Sequence, residues 1–159
     1  MINIFVTVGS GPLQFERLIK VCDNLDAKKY KMLIQKGSCN YIPKNYKYID
    51  YFKNNIDFQK TVQNTDIVIG HGGAGTIIDV LSKGKKLIVV PRLKKYKEAV
   101  DDHQIELAQF FEKQKKLYLC LDEKELENKI NYAIKDKTTN QNKNSNLIIF
   151  LKEYISKLE

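Results

Sequence analysis

No stretch of this 159-residue chain approaches the roughly 18 to 20 consecutive apolar residues that a membrane-spanning helix requires. The opening residues, Met1-Ile2-Asn3-Ile4-Phe5-Val6, carry neither a basic leader nor a small-residue cleavage site, so they read as a first strand and not as a signal peptide. A cytoplasmic location is the expectation. Cysteine is scarce: Cys22, Cys39 and Cys120 are odd in number and far apart. That spacing excludes a disulfide framework and a metal-finger pattern, and leaves buried reduced thiols. The chain has no Asp-x-Asp, the pair that commonly holds a divalent ion at a diphosphate, and no His/Cys cluster replaces it. Neither a metal site nor a bound cofactor is expected. A Gly-Lys-Ser/Thr Walker loop is also missing, as are internal repeats and an aromatic-basic stacking motif, so nucleic acid is not an expected partner.

What remains is an ordinary soluble composition, 43% hydrophobic, of a length that suits one domain with a real core. The net charge of +8 comes with lysine clusters at Lys83-Lys85-Lys86, Lys94-Lys95-Lys97 and Lys113-Lys115-Lys116. Such a surface attracts anionic lipid, nucleic acid or a phosphorylated substrate, although most of these lysines fall near predicted element ends, where charges are commonly just solvated.

Apolar runs alternate with helical patterns along most of the chain. Strands are predicted over residues 3–8, 30–35, 46–51, 66–69, 86–90 and 116–120, and helices over 13–25, 58–64, 75–82, 101–112, 122–134 and 147–158. This alternation predicts a doubly wound, mostly parallel α/β sheet with right-handed crossovers and a ligand site at the carboxyl ends of the strands. Residues 1–135 form the expected binding domain, 136–146 a polar linker, and 147–159 an extra terminal helix. That helix places Leu147, Leu151, Tyr154, Ile155 and Leu158 on one side, so it either packs back on the domain or docks on another chain.

The richest stretch is Asp66-Ile67-Val68-Ile69-Gly70-His71-Gly72-Gly73-Ala74-Gly75-Thr76-Ile77-Ile78-Asp79. It reads as a buried strand, a glycine turn and the start of a helix, an arrangement that aims bare N–H groups and a positive helix end at a phosphate or diphosphate. Asp79, three residues after Thr76 on one helical face, is placed to accept hydrogen bonds from a ribose. The run satisfies G-x-G-x-x-G, but the strand after it ends Val90-Pro91-Arg92, where a dinucleotide fold needs a carboxylate, so NAD is a poor fit. His71 is a ligand contact or, less strongly, a general acid or base. Asp101 and Asp102 suit a helix N-terminus, and His103-Gln104 suits recognition of sugar hydroxyls.

Together these segments resemble the donor-binding half of GT-B glycosyltransferases of family 28. The resemblance runs from Val6-Thr7-Val8-Gly9-Ser10 and Phe15-Glu16-Arg17-Leu18-Ile19, through the glycine run, to Pro91 and Asp102-His103-Gln104. Within that family the chain is similar to the small separate subunits of split enzymes, which serve bacterial capsule and exopolysaccharide assembly or, in eukaryotes, dolichol-linked oligosaccharide synthesis. The resemblance implies a Rossmann-like GT-B half domain and a UDP-sugar donor. By position, Gly72, Gly73, Ala74, Gly75 and Thr76 take the diphosphate, with Gly9, Ser10 and Gly11 lining it from the neighbouring strand end. Asp79 takes the uridine ribose, Phe52 marks the uracil side, and His103 and Gln104 meet the donor sugar, with Arg92 and Asp102 beside them. A hexosyltransferase subunit is implied, with galactose in β-1,4 linkage as the leading transfer and N-acetylglucosamine as the alternative. It implies further a membrane-anchored, acceptor-binding partner subunit, a lipid-linked saccharide acceptor, and recruitment to the inner face of the membrane. A non-catalytic nucleotide-binding module is the competing reading.

Overall fold

The computed structural model describes residues 1–137 and the single position 149. Among these residues up to 137 lie six strands and five α-helices: β1 (Ile2–Thr7), α1 (Glu16–Asp23), β2 (Tyr30–Gln35), β3 (Lys47–Ile49), α2 (Asn55–Gln63), β4 (Ile67–Gly70), α3 (Ala74–Leu81), β5 (Lys86–Val89), α4 (His103–Lys113), β6 (Tyr118–Leu119) and α5 (Leu126–Lys135). All pairings are parallel, and the strand order is β3-β2-β1-β4-β5-β6. The chain winds outward from β1 to one edge, then returns to β4 and winds to the other. The order therefore reverses between β1 and β4.

Strands in a sheet covered on both faces read as nearly continuous apolar runs, because alternate residues enter two different cores. Ile4, Val6, Ile67, Ile69, Ile88 and Val90 face one core with Leu18, Ile19 and Cys22 of α1 and Leu126, Ile130 and Ala133 of α5. Phe5, Val68, Leu87 and Val89 face the other, with Val62 of α2, Ile77 and Val80 of α3, and Leu107, Ala108 and Phe111 of α4. Phe5, Phe52 and Phe58 meet edge to face at 5.6 to 5.8 Å, the geometry that ring quadrupoles favour. All three cysteines are free and buried, and burial raises their thiol pKa values, Cys120 to about 11.

The predicted doubly wound fold stands, with some element ends moved. α1 starts at Glu16 and not at residue 13, because the preceding turn is claimed by tertiary contacts. The Leu13 and Gln14 carbonyls accept from Arg92, and the Phe15 N–H donates to Cys39 Sγ. α2 starts earlier than predicted, at Asn55, because the Asn54 side chain caps it by accepting from the Asp57 N–H at 2.9 Å. The expected helix over 147–158 lies outside the described residues. Among the described residues, no helix is long and apolar enough to cross a membrane.

Candidate functional site

The reversal of strand order between β1 and β4 opens a crevice at their carboxyl ends, where Thr7 and Gly70 are register partners. Two loops leave that point. In the first, buried Thr7 donates its hydroxyl to Gln35 Oε1 at 2.9 Å and accepts the Gly9 N–H at 3.1 Å. Gly9 has φ 78°, a left-handed conformation that side chains other than glycine adopt at a cost. A Cβ there would also stand 2.6 Å from His71 Cε1. From the other side the same imidazole lies against Gly73, where a Cβ would collide with Nε2. His71 is thus a wedge between two glycine backbones, and neither loop could approach it with a larger residue.

Burial pushes the His71 pKa down to about 4, and the cation of Arg92 adds to the fall, while the Thr7 backbone acts weakly the other way. Nδ1 is buried and has no hydrogen-bond partner among the described residues. At neutral pH the ring is therefore uncharged. It has no readily released proton for general-acid work, and in this conformation it spaces the two loops.

Gly73 is the N-cap residue of α3, in extended backbone with φ −66° and ψ 140°, with no side-chain cap and no acidic residue in the first turn. The first ladder bond of the helix runs from the Ile77 N–H to the Gly73 carbonyl. The N–H groups of Ala74, Gly75 and Thr76 are left outside the ladder. Ala74 and Gly75 are exposed, and a Cβ on Gly75 would touch nothing within 4 Å among the described residues. An open, uncapped helix start with about half a positive charge is an anion-binding feature.

Two depressions lie in this region, the first of them reaching the helix end. One, of about 420 Å³, is lined by Thr7, Gly9, Ser10, Phe52, Thr76 and Asp79, among others. Asp79 Oδ1 there accepts from Gln59 Nε2 at 2.9 Å. The second, of about 260 Å³, is lined by Gly11, His71, Arg92, Asp101 and Gln104, with Leu13 and Val100 at its mouth. Of the sequence-derived residues, Gly9, Ser10, Phe52, Gly75, Thr76 and Asp79 line the larger depression and Gly11, His71, Arg92 and Gln104 the smaller.

Three of them are placed differently from their expected roles. The Arg92 guanidinium turns inward: it donates to the carbonyls of Val8 at 2.8 Å, Leu13 at 2.7 Å and Glu98 at 3.1 Å, and stacks 5.0 Å from the centre of the Phe15 ring. These bonds tie the loop after β1 to the loop after β5 and occupy both terminal nitrogens of the guanidinium. Asp102 uses Oδ1 to accept the Lys94 N–H at 3.0 Å. His103 is exposed outside both depressions, and its hydrogen bond to Glu106, helped by Asp101, raises its pKa. Gln104 remains in the site, its Oε1 accepting the Arg92 N–H at 3.0 Å. Sequence reasoning passed over Gln35, Gln59, Tyr51, Asn54 and Asn55, which line the larger depression or orient its residues. Only Asn54 carried a local signal, as a helix cap.

The doubly wound sheet, with its reversal point opened by glycines, defines a Rossmann-like α/β domain of the kind found in GT-B glycosyltransferases. Residues 3–158 match the glycosyltransferase family 28 C-terminal domain, and the chain belongs to that family. The chain is 32% identical over 131 residues to the mouse UDP-N-acetylglucosamine transferase subunit ALG13, and 29% identical over 128 residues to its human counterpart. These alignments cover 76% and 74% of this chain but 11% of each relative, so the chain spans about a tenth of their length. The ALG13 subunit of Kluyveromyces lactis is 44% identical over 63 residues, 39% of this chain and 30% of the relative. Among solved structures, MurG of Acinetobacter baumannii superposes with a TM-score of 0.61 at 20% identity, over 98% of this chain and 50% of that one. The glycotransferase of kitacinnamycin gives 0.62 at 15% identity, over 86% of this chain and 35% of that one. At these identities the solved structures speak to fold alone.

Proposed function

We propose that this chain is the donor-binding subunit of an inverting UDP-sugar glycosyltransferase, completed by a second polypeptide that presents the acceptor. The observation that carries the reading is the uncapped start of α3 at the rim of the depression lined by Ser10, Phe52, Thr76 and Asp79, with a second depression beside His71 and Gln104. The diphosphate sits on the N–H groups of Ala74, Gly75 and Thr76, where the helix end is positive. The uridine occupies the larger depression, with its ribose hydroxyls on the Asp79 carboxylate and its base toward Phe52. The sugar enters the smaller one, beside Gln104. As the glycosidic bond to UDP breaks, charge builds on the leaving diphosphate. Fixed main-chain amides stabilise that charge without reorganising, which lowers the barrier without a metal ion.

N-acetylglucosamine takes precedence over galactose as the transferred sugar, because the curated relatives are named for UDP-N-acetylglucosamine; a β-1,4-linked galactose is the second reading. The acceptor is a lipid-linked saccharide, and the base that deprotonates its hydroxyl comes from the membrane-anchored partner, which recruits this chain to the inner face of the membrane. In keeping with that division, the one histidine in the crevice is held neutral and buried. The purified chain is expected to bind UDP-sugar and to transfer nothing, and co-purified partner is expected to restore transfer. A radiolabelled-sugar assay on the two polypeptides, apart and together, decides this; robust turnover by the isolated chain contradicts the proposal. Docking is assigned to the segment 147–159, so a chain cut after Asn146 is expected to lose the partner in a pull-down.

Gln104→Ala is expected to leave UDP affinity within about twofold and to narrow the affinity difference between UDP-N-acetylglucosamine and UDP-galactose. It should also cost about 1 kcal/mol of stability, because the Arg92 N–H loses its acceptor. Calorimetric titration with UDP and the two UDP-sugars reads the affinities, and urea unfolding reads the stability. An unchanged sugar preference would move the sugar away from Gln104.

A further inference from the structure

The loop after β5 is built as a pedestal with a basic tip. Its base is buried: Arg92, Leu93 and Glu98 are each 5 to 8% exposed. Arg17 bonds Glu98 at 2.8 Å and Glu123 at 2.8 Å, and also donates to the Pro91 carbonyl. Glu98 accepts in turn the Leu93 N–H at 3.1 Å. What this clamp holds outward is a 3-10 turn, Lys94–Tyr96, closed by Lys97 at φ 58°. A lysine in left-handed backbone is strained and persists only where its surroundings enforce it. Lys94, Lys95, Tyr96 and Lys97 are all exposed, and no carboxylate lies within ion-pair distance of the three ammonium groups among the described residues. Val100 is 78% exposed just beyond, and Leu13 of the neighbouring loop is 40% exposed.

We propose that this tip is a direct membrane-contact element, which seats on an anionic lipid surface with Lys94, Lys95 and Lys97 among the headgroups and Tyr96 and Val100 at the interface. Three features favour a lipid surface over a packed protein partner. The exposed cations are all lysine, which is depleted in protein interfaces, where arginine is enriched. The exposed apolar groups, Tyr96 and Val100, are separate single side chains and not a continuous apolar face. Tyrosine beside lysine matches the amphipathic chemistry of the bilayer boundary, with a ring partly apolar and partly wet. The tip adjoins the smaller depression through Val100, so seating it would hold the mouth of the crevice close to the bilayer. This inference goes beyond the proposed transfer and stands whatever sugar is carried.

Each lysine near an anionic surface strengthens binding about fivefold, so removing three should weaken it by about 100-fold. The test is co-sedimentation of the full chain with phosphatidylcholine vesicles, with and without phosphatidylglycerol, at low and high salt. Wild type is expected to bind the anionic vesicles only, and to release at high salt. Lys94→Gln/Lys95→Gln/Lys97→Gln should lose about 100-fold. Lys31→Gln/Lys47→Gln/Lys60→Gln removes equal charge from exposed positions at another depression and should stay within a few-fold of wild type. Tyr96→Ser/Val100→Ser, with the lysines intact, should weaken binding several-fold, which keeps the test sound if the triple variant folds poorly. Equal losses in the two lysine variants, or wild type that ignores anionic vesicles, would overturn the proposal, even if the tip proved necessary for a protein partner.

Discussion

Gly73→Val is expected to weaken UDP binding by at least 100-fold, a loss of about 2.7 kcal/mol, with the sheet intact. Valine can adopt the backbone angles at this position, φ −66° and ψ 140°, so the effect is steric. The new Cβ enters the space of His71 Nε2, and the ring cannot retreat because Gly9 closes it from behind. Either the ring or the start of α3 must move, and the three free N–H groups lose their common aim. A branched side chain would also cover the helix end that the diphosphate approaches. Overpacking of this kind costs about 1 to 3 kcal/mol of stability. Calorimetry with UDP measures the first loss, and far-UV circular dichroism with urea unfolding measures the second. Wild-type affinity in this variant would place the nucleotide elsewhere.

The second large effect is a pH dependence of folding that belongs to His71. An unfolded histidine takes up its proton near pH 6.5, whereas in the folded chain burial holds the ring neutral down to about pH 4. Between those values the unfolded state binds more protons than the native state, so stability falls as pH falls from about 6.5 to about 4 and then levels off. The gap between the two pKa values corresponds to about 3 kcal/mol. His71→Gln cannot titrate, so its stability should decline by about 3 kcal/mol less than that of wild type over this interval. Urea unfolding of both proteins at neutral pH and near pH 4.5 reads the difference, because the carboxylates contribute equally to each. Parallel curves would mean that the ring reaches solvent and is no wedge.

Both predictions rest on features of unequal visibility in the sequence. The two-sided sheet was legible because runs such as Ile67-Val68-Ile69 and Leu87-Ile88-Val89 feed alternate residues into two cores. The glycine turn before α3 was legible because no other residue type combines a strand end, a bare turn and a helix start so compactly. Arg92 misled, since an arginine at the ligand edge reads as a direct contact to the donor. What turns it inward is a set of carbonyls as far as 84 positions away, with Val8 the most distant in the chain. Distance along the chain also hid the Gln59 contact to Asp79, 20 positions away, and the Gly9 face of the His71 wedge. The start of α1 was misplaced for a related reason: helical periodicity begins at residue 13, but tertiary hydrogen bonds hold the backbone there in another shape. Local propensity sets the elements, and contacts between loops set the site.

The account depends on a nucleotide diphosphate resting on the exposed amides at the start of α3. Titration of the ¹⁵N-labelled chain with UDP, followed by amide resonances, tests this most directly. The predicted result is a saturable shift led by Ala74, Gly75 and Thr76, with Asp79 and Phe52 following on the nucleoside side. Shifts confined to the depression lined by Ile2, Thr65, Ile67 and Lys86, with the α3 amides silent, would contradict it.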